Sequence, residues 1–236
     1  MSLPEASVFP GIRDRISVRP ALRADDFEQI QRLRDAIYVQ TEQRIGTVDD
    51  FAGSFDRYTE RSHWFIALID DTVVGTVKVI GDSKIGLPFE AIVGNGHRGP
   101  GDVVVEIGHL LAMPGSSTRY IVMDLLREAT AYSRNELGAT HLVGDVFLDK
   151  TRGDAFYRRV GFKPLHGPYR DDRFLNAPMS MILKLRCADV APLMRRSTGT
   201  RKELLCYLTS GWNDPEIRRA VAGLPEAAFS AGVPAH

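Results

Sequence analysis

The sequence of 236 residues predicts an α/β fold: a mixed central sheet of about seven strands flanked by helices, with a C-terminal helical appendage. Three observations lead there. Short runs rich in β-branched and aromatic residues recur, twice as hairpins. The longest helical pattern, Ser117 to Leu137, sits between two apolar strands. Beyond about Cys187 the strands cease and short amphipathic patterns follow, which divides the chain into a main domain over 1–186 and an appendage over 187–236.

The elements follow in order. "ISVRPAL" (Ile16 to Leu22) alternates apolar and polar residues as a strand does. Asp25 and Asp26 precede a helical pattern carried by Phe27, Ile30, Leu33, Ile37 and Tyr38. "TEQRIGTVDDFAGSFDRYTERS" is polar and weakly periodic, a loop with a short helix. "HWFIALID" and "TVVGTVKVI" are the arms of a hairpin turning at Asp70-Asp71. Gly81 to Asp102 holds six glycines and two prolines and reads as a long surface loop, a length that is often functional. A strand, Val103 to Ala112, then leads through a turn into the long helix, which Gly138 stops. "THLVGDVFL" is a buried strand, "TRGDAFYRRV" a short helix ended by Gly161, and "FKPLHGPY" with "APMSMILKLR" a second hairpin. "TRKELLCYLTSG" and "DPEIRRAVAGL" are two short helices expected to pack on the domain or on a second subunit, which leaves a homodimer open.

Thirty basic residues balance 30 acidic ones, so bulk charge gives no reason to expect nucleic acid or an anionic membrane as partner. "MSLPEASVFPGIRDR" has no basic segment leading into an apolar run, so no secretory signal is expected. No stretch approaches the roughly 18 to 20 apolar residues of a membrane span. Cys187 and Cys206 are expected as reduced thiols of a cytoplasmic protein. His63, His97, His141 and His166 lack metal-ligand spacing, so no metal is expected, and "GNGHRG" lacks the strand and helix of a nucleotide loop.

One stretch, "VVVEIGHLLAMPGSSTRY", concentrates what remains. Glu106 interrupts an apolar strand, where burying a carboxylate costs free energy unless it has partners. Ser116, Ser117 and Thr118 then gather hydroxyls and free backbone N–H groups at a helix start, a point that attracts anions and equally suits an N-cap.

The order of elements resembles the GNAT acyltransferase fold, in which a strand, a turn and a long helix hold the pyrophosphate of coenzyme A. "AFYRRVGF" (Ala155 to Phe162) is similar to the family's downstream helix and strand entry. Finer likenesses are to the branch of N-acyl amino acid synthases and acyl-homoserine-lactone synthases. They are Arg34 and Tyr38 in "RLRDAIYV", Asp56 in "SFDRYTERSHWFIAL", Lys78 of "VVGTVKVI" in the place of an Arg, "GLPFE" (Gly86 to Glu90), and "EIGHL" with Glu106 in register and His109 in place of Arg. The likeness runs from about Val18 to Leu185. "MPGSSTRY" departs from it, with Gly115 alone where the family's phosphate turn carries more glycine.

The resemblance implies an N-acyltransferase that moves an acyl group, expected to be a long fatty acyl chain, from a pantetheine thioester to the amine of an amino acid or similar small molecule. The donor is an acyl-coenzyme A or an acyl carrier protein; the looser phosphate turn leaves both open. Glu106 is implied as the base and Tyr157 as the acid that protonates the leaving thiolate, with His109 the next candidate base. Leu111, Ala112, Met113 and Phe156 are implied along the pantetheine arm, and Ser116, Ser117, Thr118 and Arg119 at its phosphate end. Arg34, Tyr38, Asp56 and Lys78 are implied at the acceptor. The plainer readings are a cross-sheet ion-pair partner for Glu106, an ordinary surface or paired charge for Arg34 and Asp56, a core aromatic for Tyr157 and Phe156, and an N-cap for the hydroxyls. An acetyl-coenzyme A N-acetyltransferase and a non-catalytic module binding an acyl donor are the rival functions.

Overall fold

Seven strands form one sheet in the order β1-β2-β3-β4-β5-β7-β6 in the computed structural model, which describes residues 15–47, 56–94, 96–115, 117–148 and 153–221. They are β1 (Ile16–Pro20), β2 (Ser62–Ile69), β3 (Thr72–Ile80), β4 (Val104–Ala112), β5 (His141–Phe147), β6 (Lys163–Arg170) and β7 (Met179–Arg186). Only β4 and β5 pair in parallel, because a helix, α3 (Thr118–Asn135), connects them. The hairpins β2–β3 and β6–β7 are antiparallel, as the turn residues between their arms require.

Alternation sorts the side chains to two faces. On one, Val77, Val79, Val105 and Ile107 pack beneath Ile121, Leu125, Leu126 and Ala129 of α3. The contact is close at Gly75, where a Cβ would collide with Ile121 and stand 3.1 Å from Leu125. The helices α5 (Val190–Arg196), α6 (Gly199–Thr209) and α7 (Pro215–Val221) join this layer, contributing Val190, Met194, Leu204, Leu205 and Ile217 to the same apolar cluster, with Trp212 from the turn between α6 and α7. Polar contacts fix their docking: Trp212 Nε1 donates to Thr130 Oγ1 at 3.3 Å, and Arg127 donates to the Tyr207 hydroxyl at 3.1 Å.

On the other face lie α1 (Ala24–Arg34) and the segment between β3 and β4. Asp26 is the third residue of α1 rather than a residue before it. Its carboxylate accepts the N–H groups of Leu22 and Arg23 at 3.0 Å each and pairs with Arg19 at 2.6 Å. The chain then continues as a wider helical turn, Asp35–Thr41, which carries Ile37 and Tyr38 into the core.

The segment Gly81 to Asp102 departs from the surface loop expected. Leu87 and Phe89 are 1% and 0% exposed and pack with Ile80, Val104, Val143 and Ile182. A short helix, α2 (Glu90–Val93), organises it: Glu90 accepts the Leu87 N–H at 2.7 Å and is bound by Arg98 at 2.5 Å. Lys184 of β7 donates to the His97 carbonyl at 2.9 Å, so the "GNGHRG" motif ties the segment to the sheet.

Candidate active site

The sheet opens at one place. Pairing between β4 and β5 runs through Val104↔His141 and Val105↔Leu142 and ends at Glu106↔Val143, although β4 continues to Ala112 and β5 to Phe147. Beyond that point the two strands diverge and a cavity of about 190 Å³ fills the gap. β5 remains paired with β7 over its whole length, so the gap lies on the β4 side alone.

A bulge in β4 sets what enters the gap. Lys78 of β3 pairs with Gly108 and Thr76 pairs with Leu111, leaving His109 and Leu110 opposite a single residue, and His109 takes φ 48°. The extra residue reverses the alternation. Val105 and Ile107 face α3 before the bulge, and Leu110 and Ala112 face it afterwards. Glu106, His109 and Leu111 are therefore left together on the opposite face, where His109 lies 5.5 Å from the Trp64 ring.

Glu106 is 4% exposed and lines the cavity. Burial pushes its pKa up to about 8; Asp145 adds to the rise, while the Phe89 N–H, Arg173 and Lys78 oppose it. The Phe89 amide donates to Oε2 at 3.0 Å. Tyr157, on α4 (Gly153–Arg159), reaches the same cavity and is held against Phe156 and Phe162, with ring centres 5.5 and 5.2 Å away. Burial raises its phenol to about 12, which keeps it protonated and able to donate. His109 is held neutral: burial first, then the charges of Arg34, Lys78 and Arg173, push it well below the usual imidazole range.

The other implied residues divide. Tyr38 lines the cavity and meets Phe174 edge-on at 6.0 Å, with Phe147 5.0 Å further along the same aromatic wall. Lys78 is buried on the Glu106 face with its ammonium 5.3 Å from the Trp64 ring centre, and Arg34 is buried within electrostatic reach of His109. Leu111 lines the cavity, and Ala112 packs under α3. Both backbone groups of Met113 are engaged, its N–H by Val74 and its carbonyl by the Thr118 hydroxyl. Phe156 borders a smaller, wholly apolar pocket with Leu126, Val160, Phe162 and Leu208, which shares Ile107 and Tyr157 with the main cavity. At the start of α3, Ser117 makes no side-chain cap and Thr118 bonds back to Gly115, while Arg119 extends over Tyr120 with 5.0 Å to the ring centre. The side chain of Asp56 and the whole of Ser116 lie outside the described residues.

The structure adds a group that the motifs did not mark. Asp145 of β5 stands on the lip opposite Glu106, with its Oδ2 accepting the Tyr169 hydroxyl at 2.5 Å and Arg173 at 2.6 Å. Arg173 also binds Asp171 at 2.7 Å, and all three of Asp145, Asp171 and Arg173 line the cavity. One signal was available for Asp145: like Glu106, it is an acid inside an apolar strand. Among the described residues, no group of three His, Cys, Asp or Glu is placed to hold a metal ion, and no helix is long and apolar enough to cross a membrane.

Residues 29–184 match the family described as N-acyl amino acid synthase FeeM. The chain belongs to the FeeM family. Its activity class is therefore N-acyl transfer. The solved structure of FeeM itself, an N-acyl amino acid synthase from uncultured soil microbes, superposes with a TM-score of 0.64 at 17% identity, covering 75% of this chain and 93% of that one. The NatC complex bound to Gag peptide and CoA gives a TM-score of 0.53 at 15% identity, covering 73% of this chain and 98% of that one. The spermidine/spermine N-acetyltransferase SpeG from Vibrio cholerae gives 0.53 at 15% identity, over 78% and 99%. These likenesses establish the GNAT fold. No curated protein sequence matches the chain.

Proposed function

We propose that this FeeM-family chain transfers a long fatty acyl group from a pantetheine thioester, carried by coenzyme A or by an acyl carrier protein, to the amine of an amino acid. The observation that carries the reading is a buried carboxylate, Glu106, and a half-buried phenol, Tyr157, on the walls of one cleft. An amine acceptor enters as an ammonium ion and must lose a proton before it attacks; Glu106, ionising near pH 8, is matched to take it. The nitrogen then bonds to the thioester carbonyl carbon and the C–S bond breaks. The ammonium releases two protons overall, of which one ends on the departing thiolate, delivered by Tyr157. The small apolar pocket of about 30 Å³ along Leu126, Val160 and Leu208 adjoins Tyr157 and offers apolar surface only to the first carbons beside the reacting carbonyl.

The donor's phosphate end fits the start of α3, where uncapped backbone N–H groups and Arg119 offer charge-assisted contacts. Arg34, Tyr38 and Lys78, beside His109 on the Glu106 face, suit the acceptor. Mass spectrometry of lipids extracted from cells overexpressing the protein tests the reading. It predicts new N-acyl amino acids with long chains; N-acetyl products alone, or none, would contradict it.

A further inference from the structure

We propose that Asp145 receives the acceptor's amine, holding it in the cleft opposite Glu106. The inference rests on the proposed N-acyl transfer and names a binding residue for its acceptor that neither the motifs nor the resemblance supplied.

Three observations carry it. Position comes first: Val143 of β5 is the last residue paired with β4, through Glu106, and Asp145 follows two residues later on the same side of the strand. The two carboxylates thus stand on opposite lips where the sheet opens, and both line the cavity.

The second is an unsatisfied oxygen. Asp145 Oδ2 takes both available donors, Tyr169 and Arg173, while Oδ1 is buried with no hydrogen-bond partner among the described residues. A buried acceptor left unmade costs roughly 1–3 kcal/mol. A donor entering the cleft relieves that cost, and an ammonium relieves it most.

The third is charge. The groups that bear most on Asp145 are Tyr169, Arg173 and Asp171, and Glu106 faces it across the cleft, so the carboxylates of Asp145 and Asp171 share one guanidinium and this lip has an excess of acidic groups. Lys78 bears on Glu106 and His109, and Arg34 on His109, whereas the leading cation at Asp145 is Arg173. Arg173 and Tyr169 also fix the carboxylate's orientation, so little is lost in ordering it when the amine arrives. Asp145 holds the nitrogen and Glu106 takes its proton.

The test uses the full chain with palmitoyl-coenzyme A or palmitoylated carrier protein and the one of the twenty L-amino acids that wild type turns over fastest. Asp145→Asn keeps the shape but turns a donor toward the amine. The expected result is a 10- to 100-fold lower acceptor kcat/KM, with the donor KM within about 2-fold of wild type. Tyr169→Phe removes one of the two hydrogen bonds that orient the same carboxylate but leaves its charge, Oδ1 and the Arg173 contact in place, so its acceptor kcat/KM is expected to fall by only about 2- to 3-fold. Equal losses in the two variants would make Asp145 a strut for the β6–β7 connection and overturn the proposal. So would an unchanged acceptor kcat/KM in Asp145→Asn. If that variant does not fold, wild type decides: the deaminated acid of the same amino acid should fail to compete with it, and effective competition overturns the proposal. Absence of turnover in wild type with every pair would instead refute the N-acyl transfer itself.

Discussion

The Phe89 N–H donates to Glu106 Oε2 across 3.0 Å, so the segment between β3 and β4 reaches over the sheet and holds the buried carboxylate. One amide does not offset the loss of water, and the group ionises near pH 8 instead of its ordinary 4.5. Between those values the folded chain keeps a proton that the unfolded chain has released, so this group's contribution to stability declines as pH rises through the window. Glu106→Gln removes that titration. Its stability relative to wild type should therefore increase between pH 4.5 and 8, by on the order of 3–5 kcal/mol. Urea melts at several pH values measure it, and a difference that stays flat would place the pKa near the ordinary value.

Gly75 sits where β3 approaches α3, and a methyl group there meets Ile121 and Leu125. Gly75→Ala should destabilise the fold by roughly 1–3 kcal/mol, the usual cost of overpacking. A denaturant midpoint equal to wild type would mean that α3 moves away without cost.

Arg119 extends from the first turn of α3, with its Nη2 3.2 Å from the Tyr120 hydroxyl. Arg119→Ala should weaken donor binding by roughly 1–3 kcal/mol and leave acceptor KM unchanged. Calorimetry with coenzyme A and with the carrier protein reads this directly. Unchanged affinity for both would move the phosphate site away from α3.

Tyr157→Phe keeps the ring contacts with Phe156 and Phe162 and deletes the donor. Turnover should fall by roughly 10²-fold or more, with little change in melting temperature. Full activity would mean that the thiolate is protonated by water.

The strands and helices were legible because their periods are strong: the β2–β3 hairpin and α3 stand within a few residues of where alternation and helical spacing put them. Glu106 was legible because an acid among valines is anomalous. The fate of Gly81 to Asp102 was not, since glycine content reports backbone freedom and says nothing of Leu87 and Phe89 finding a place against the sheet. Nor was the bulge at His109, because the residue itself does not demand a positive φ; the register of β3 against β4 does. Asp145, Tyr169, Asp171 and Arg173 come from β5, β6 and the turn after it. Only the strand order β5-β7-β6 brings them together, with Asp145, Asp171 and Arg173 on one cavity wall and Tyr169 behind Asp145, and no local spacing encodes that order.

The central claim is that Glu106 takes the proton from the acceptor amine inside the cleft between β4 and β5. The pH dependence of acyl transfer by wild type and by Glu106→Gln, with acceptor limiting and donor saturating, tests it most directly. In wild type kcat/KM should rise with an apparent pKa near 8. In Glu106→Gln it should be lower by roughly 10²–10⁴-fold near neutral pH, and the deficit should shrink at high pH, where solution has already deprotonated the amine. A variant that retains wild-type kcat/KM per folded molecule, with the same pH profile, would contradict the account.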